Sequence, residues 1–226
     1  MKHSIIFTLL FSGSVIADQA TVDSIEQAAM MLDQNTLTQL TNEATGYDRA
    51  LAYYRLAIAQ NLNANTNQAT VSLDNAIAEL EALTEQNEQD AESWTLLAQA
   101  YGYKISFAPM KGVYYGPKSA SAMTNAYELA PNNPRLHLVK AISAYNTPAM
   151  FGGSKKAAIK SLDKSIELYQ NDNSEHHKWG HAEAYVWRGL SQLALNQTER
   201  ALADWQTAIE IAPSYGWPQF LIEQNQ

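Results

Sequence analysis

Cysteine is absent from this 226-residue chain, which excludes disulfides, thiolate metal sites, a cysteine nucleophile and the lipid-bearing cysteine of bacterial lipoproteins. Without cross-links, stability must come from packing, and the chain is long enough to build a sizeable core. Positive charge is also scarce: 15 Lys and Arg stand against 23 Asp and Glu, a net charge of −8. Nucleic acids and anionic lipid surfaces are held by clustered Lys and Arg, so the sequence argues against both as partners. Long apolar runs are missing, and the one from Ser4 to Ile16 falls well short of the ~20 residues of a membrane span. With the basic start Met1-Lys2-His3 before it and Val15-Ile16-Ala17 after it, the run has the layout of a secretory signal cleaved after Ala17. Residues 1–17 are therefore expected to be removed, giving a periplasmic or secreted protein with no membrane anchor.

Catalytic signatures are lacking too. No Gly-x-Ser-x-Gly elbow occurs, and Gly152-Gly153-Ser154-Lys155 lacks the spacing of a phosphate loop, so it is read as a turn that opens a helix at Ser154. Glu79 and Glu81 are expected to be solvated charges on a polar helix face. No enzyme activity and no cofactor are expected. Sustained period-two alternation is absent, whereas apolar residues recur at three- and four-residue spacing, so the fold is expected to be all-α.

What is present is repetition. Four segments share a large residue, an Ala or Gly three or four positions on, and a second helix with small and bulky residues at matching spacing. They are Tyr53-Leu56-Ala57 with Ala69, Leu73 and Ala76; Trp94-Leu97-Ala98-Tyr101 with Ser119, Met123, Ala126 and Pro131; Leu138-Ala141-Tyr145 with Ala158, Leu162 and Ser165; and Tyr185-Gly189 with Ala201, Trp205, Ala208 and Pro213. The small residues let two helices approach closely and the bulky ones fill the space between pairs. This pattern resembles the tetratricopeptide repeat (TPR). The resemblance covers roughly residues 47–218 and implies a right-handed solenoid of about four irregular helix pairs, whose first helices line a concave groove. The anchors at Ala57, Ala98, Ala141 and Gly189 are spaced more widely than the ~34-residue standard, so each unit carries an insertion or a longer linker. The segments Ala108-Pro109-Met110-Lys111-Gly112, Thr147 to Gly153 and Trp179-Gly180 are similar to those of a group of exported bacterial TPR proteins, a likeness that implies no activity.

The expected organisation is a signal at 1–17, one N-terminal capping helix within 18–46 and repeats at about 47–90, 91–132, 133–173 and 174–213. A C-terminal cap and tail follow at 214–226. The role implied by the TPR resemblance is a non-catalytic scaffold for a protein or peptide. Groove-facing positions are expected at Tyr54, Ile58, Thr95, Gln99, Leu138, Ile142, Val186 and Leu190, with Tyr103 and Tyr145 further along the same helices. The stretch 101–118, with four tyrosines, Phe107 and three lysines around glycines, is expected to form a long insertion. Its Lys111, Tyr114 and Tyr115 are candidate contacts; the competing reading makes Tyr101 part of a helix and lets Phe107 and Tyr114 fill the gap between pairs. A small-ligand carrier with an aromatic pocket is the alternative function. A metal enzyme is the remote third: His177 and His181 have the four-residue spacing of half a zinc site, but Lys178 stands where a metalloprotease needs Glu, and a solvated helix start is the preferred reading.

Overall fold

The computed structural model describes residues 18–226, so the segment read as a signal lies outside the described residues. Side-chain caps set many of the helix starts. Asp33 accepts from the amides of Asn35 and Thr36, Asp90 from those of Glu92 and Ser93, and Asn133, followed by Pro134 in the first turn, from that of Arg135. Ser154 does open a helix, accepting from Ala157. Each cap satisfies amides that the first helical turn leaves without partners.

The elements are α1 (Gln19–Met30), α2 (Gln34–Glu43), α3 (Gly46–Leu62), α4 (Thr66–Gln86), α5 (Ala91–Phe107), α6 (Gly112–Leu129), α7 (Pro134–Asn146), α8 (Lys155–Tyr169), α9 (His181–Leu193), α10 (Thr198–Ile211) and α11 (Gly216–Asn225). Short 3-10 turns at Pro109–Lys111 and Ala149–Phe151 join α5 to α6 and α7 to α8. There is no strand among the described residues. Helices α3 to α10 form four antiparallel pairs, with α4 packing on α5 and α8 on α9. This is the expected TPR-type solenoid.

The small residues act as the spacing implied. Ala57, Ala98 and Ala141 are buried, as are Ala69, Leu73 and Ala76 of α4, Ala158 and Leu162 of α8, and Ala201, Trp205 and Ala208 of α10. Ser119 and Ser165 use their hydroxyls to reach across a pair, donating to the carbonyls of Ala98 and Pro134. Gly189 lies directly against the second helix of its pair: a Cβ there would sit 2.8 Å from Cδ1 of the buried Trp205 indole.

Three expectations change. The N-terminal cap is a helical hairpin and not one helix, because Leu32 turns into the left-handed region at φ 54° and Asp33 restarts the chain as the α2 cap. Residues 101–118 are largely helical and not a loop. Helix α5 runs on to Phe107, where the extended Ala108 before Pro109 stops it, and α6 begins at Gly112. Pro117 lies inside α6 and forgoes one bond to the carbonyl of Val113, a residue open to water.

The third change concerns the groove, which closes on itself between α1, the first half of α3 and the start of α9. Arg55 of α3 bonds both carboxylate oxygens of Glu26 on α1, at 2.7 and 2.9 Å, and reaches Glu183 of α9 at 3.0 Å. Trp179 donates to the Tyr47 hydroxyl at 2.8 Å, and the Gln19 amide bonds both the N–H and the carbonyl of Lys178. Tyr54, Thr95, Gln99, Leu138 and Val186 are consequently buried, while Ile58, Ile142 and Leu190 are half-buried.

Candidate functional site: the turn edge

In stacked antiparallel pairs, every turn from a first helix to its second lies on one edge of the solenoid. The turns of the second and third pairs carry apolar residues that no helix face covers. Met110 is 88% exposed, Val113 88%, Met150 83%, Phe151 71% and Tyr114 57%. Leu62, at the corresponding end of α3, is exposed as well. Monomeric proteins seldom leave such a run of large apolar side chains in water, and contiguous ones mark interaction surfaces. Methionine suits this use because its flexible, polarizable side chain adapts to a partner.

The edge is rigidly supported. Tyr101 and Lys118 (3.0 Å) both donate to Glu81, and the Lys118 ammonium lies 5.1 Å from the rings of Tyr101 and Tyr114. The Glu81 carboxyl sits below its ordinary range despite the upward push of burial, because those two donors favour its charged form; burial and the bond to Glu81 drive the Tyr101 phenol up. Glu81 and Glu79, which Arg49 grips with 2.7 and 2.8 Å bonds, are therefore structural ion-pair partners and not simply solvated charges. Lys104 is buried and bonded to Asp74.

Two groups of aromatics lie along the first helices and against α11. Tyr54, Tyr103 and Phe107 meet edge-on, at 6.0 and 5.1 Å between centroids, with Asn61 donating to the Tyr103 hydroxyl. Tyr145, Trp187, Trp217 and Tyr215 form a second chain at 5.3, 5.4 and 6.4 Å. The Lys155 ammonium lies 3.4 Å from the Tyr145 ring centroid and bonds the Tyr145 carbonyl, and burial lowers its pKa.

Of the candidate contacts, Lys111 and Tyr114 stand on the exposed edge, Tyr103, Tyr115 and Tyr145 are half-buried, and Tyr54 and Gln99 lie in the closed interior. Tyr114 is thus not a plug between pairs, whereas Phe107 is partly packed. Sequence reasoning missed Met110, Val113, Met150 and Phe151. The available signal was apolar residues inside or directly after segments broken by Pro and Gly, where a continuous helix face is lacking.

His177 and His181 do not share a helix. Gly180, at φ 92°, is the N-cap of α9, and His177 itself has φ 64°. His177 lies edge-on to Tyr47 at 4.4 Å and His181 stacks on Tyr169 at 5.1 Å; burial lowers the pKa of both. They are packing residues beside the buried Trp179 and not a solvated helix start. Among the described residues no three His, Asp or Glu side chains are grouped to hold a metal ion. Two depressions, of about 400 and 450 Å³, are open and have charged walls: Glu92, Arg135 and Asp172 line one, Arg49 and Glu79 the other. No helix among the described residues is long and apolar enough to cross a membrane.

No protein-family model matches the chain, and neither does any curated protein sequence. Solved structures do. A thermophilic TPR protein of Thermus thermophilus aligns with a TM-score of 0.54 at 19% identity, over 85% of this chain and 88% of that one. The HusA haemophore of Porphyromonas gingivalis aligns with a TM-score of 0.55 at 24% identity, over 77% of this chain and 89% of that one. At these identities the likeness is one of fold.

Proposed function

We propose that the chain is an exported, non-catalytic TPR-type scaffold that holds a protein or peptide partner on its turn edge and not within its concave groove. One observation carries this reading: the groove is closed by the Arg55 network, while Met110, Val113, Tyr114, Met150 and Phe151 stand exposed on adjacent turns. Exposed apolar side chains on neighbouring turns, beside the exposed Lys111, suit an extended or helical peptide segment with apolar anchors. The TPR neighbours support a scaffold through fold alone.

A crosslinking pull-down from the exported fraction tests the edge. The Met110→Ser and Phe151→Ser double variant is expected to lose at least about tenfold in partner affinity, as removing two contact residues at a binding centre does. Undiminished capture by the double variant removes the edge from the account.

A second reading, carriage of a small planar ligand, is favoured by the half-buried aromatics Tyr103, Phe107, Tyr145 and Trp187 of α5, α7 and α9. A neighbour named as a haemophore supplies the probe. Titration with haemin should produce a saturable absorption shift that Tyr145→Ala weakens under this reading, and no shift under the scaffold reading.

A further inference from the structure

Asp48, near the start of α3, is only 6% exposed, yet among the described residues it takes no bond from a Lys, Arg or His side chain. Its single hydrogen bond comes from the backbone N of Asp18, at 2.9 Å to Oδ2, and its Oδ1 is buried with no partner. A buried carboxylate with an empty oxygen is costly to leave in that state. Asp18 is also the residue immediately after Ala17, where the sequence places the end of the signal. It caps α1, its side chain accepting from the amide of Ala20 and the hydroxyl of Thr21.

We propose that cleavage between Ala17 and Asp18 creates an α-ammonium group that forms a partly buried ion pair with Asp48 and thereby latches α1 onto α3. A protease of the signal-peptidase class hydrolyses the Ala17–Asp18 amide: water adds across the C–N bond, the carboxylate leaves with Ala17, and the amine of Asp18 takes up a proton. In the uncleaved chain the nitrogen of Asp18 offers one N–H and no charge. After cleavage it offers three donors and a positive charge, so it can reach Oδ1 as well as Oδ2. A positive group at a helix N-terminus opposes the helix dipole, and the Asp48 carboxylate supplies the counter-charge. The latch strengthens the same α1–α3 contact that carries Glu26 to Arg55, so processing completes the closure of the inner face.

This inference rests on the export part of the proposed function and not on the partner or the turn edge. Its first test is the N-terminal sequence of the chain recovered from the exported fraction, where Asp18 is expected; any other N-terminus overturns the latch and leaves the turn edge untouched. The second test compares melting of the chain beginning at Asp18 with the same chain carrying one extra residue, Ala17, each with Asp48 and with Asp48→Asn. The extension is expected to lower the melting temperature by roughly 3–12 °C, the range for losing a charge-assisted bond in a chain of this size. The difference should vanish in the Asp48→Asn pair. Equal melting of the two Asp48 chains, or a difference that survives Asp48→Asn, overturns the proposal.

Discussion

The two ends of the first helices make opposite surfaces. Along the first half of α3 and at the start of α9, the chain gathers Glu26, Arg55, Glu183, Tyr47 and Trp179 and buries them, with His177 half-buried against Tyr47. Where α5 and α7 end, it leaves Met110, Met150 and Phe151 in water. A solenoid built from identical hairpins would treat its two ends alike. Here the inner face has become core, and the exposed apolar side chains stand at the turns. The buried end holds two carboxylates against one guanidinium. Burial pushes the Glu26 carboxyl up against the pull of Arg55, and it also holds the neighbouring phenols of Tyr54 and Tyr215 well above their usual range.

The sharpest way to break this contrast is Arg55→Leu. It strands Glu26 and Glu183 without their cation and is expected to cost about 3–5 kcal/mol in urea denaturation; a loss below about 1 kcal/mol would mean the groove is not closed by this network. Gly189→Ala comes next. The new methyl must push the Trp205 indole aside, and a destabilisation of about 1–3 kcal/mol is expected, with partner capture unchanged because Trp205 lies far from the turn edge in sequence and packing.

A smaller effect separates the buried end by its response to acid. Burial lowers the pKa values of His177 and His181 below the ordinary imidazole value, so the unfolded chain takes up protons first as the pH falls. The stability these groups contribute is present above about pH 6.5 and is lost as the pH drops through their folded values. Glu26, with its raised pKa, acts in the opposite sense, so the comparison must be differential: melting between pH 7 and 5 should fall less in His181→Phe than in the parent chain. An equal fall would remove His181 from the acid response. Smallest of all, Met110→Ser with Phe151→Ser should change stability by no more than about 0.5 kcal/mol for each site. A larger loss would show those side chains to be packed and the edge reading mistaken.

The pairing of helices was legible because it depends on local spacing: an Ala or Gly four residues from a large side chain reports close approach wherever it occurs, as Gly189 against Trp205 shows. The closure was not legible. It depends on superhelical curvature summed over four pairs, and its decisive contact joins Arg55 to a carboxylate 128 residues away. Hence Tyr54 and Gln99, expected to face an open groove, are interior residues. The stretch 101–118 was misjudged for a different reason. Its glycines and Pro117 lower helix propensity, but Tyr101, Lys104 and Lys118 tie it to Glu81 and Asp74 of α4, and tertiary contacts outweighed local preference.

Open repeat arrays unfold from their ends, because each terminal unit has one neighbour only. The Arg55–Glu183 contact gives this chain no such free end: fraying of α9 to α11 would strand Arg55 and Glu26 near the opposite terminus. Local losses are therefore shared along the whole molecule, and unfolding is expected to run as one cooperative event and not as a progressive unzipping. The same contact sets an order on synthesis, since the first-made helices cannot complete their charged interior until Glu183 has left the ribosome.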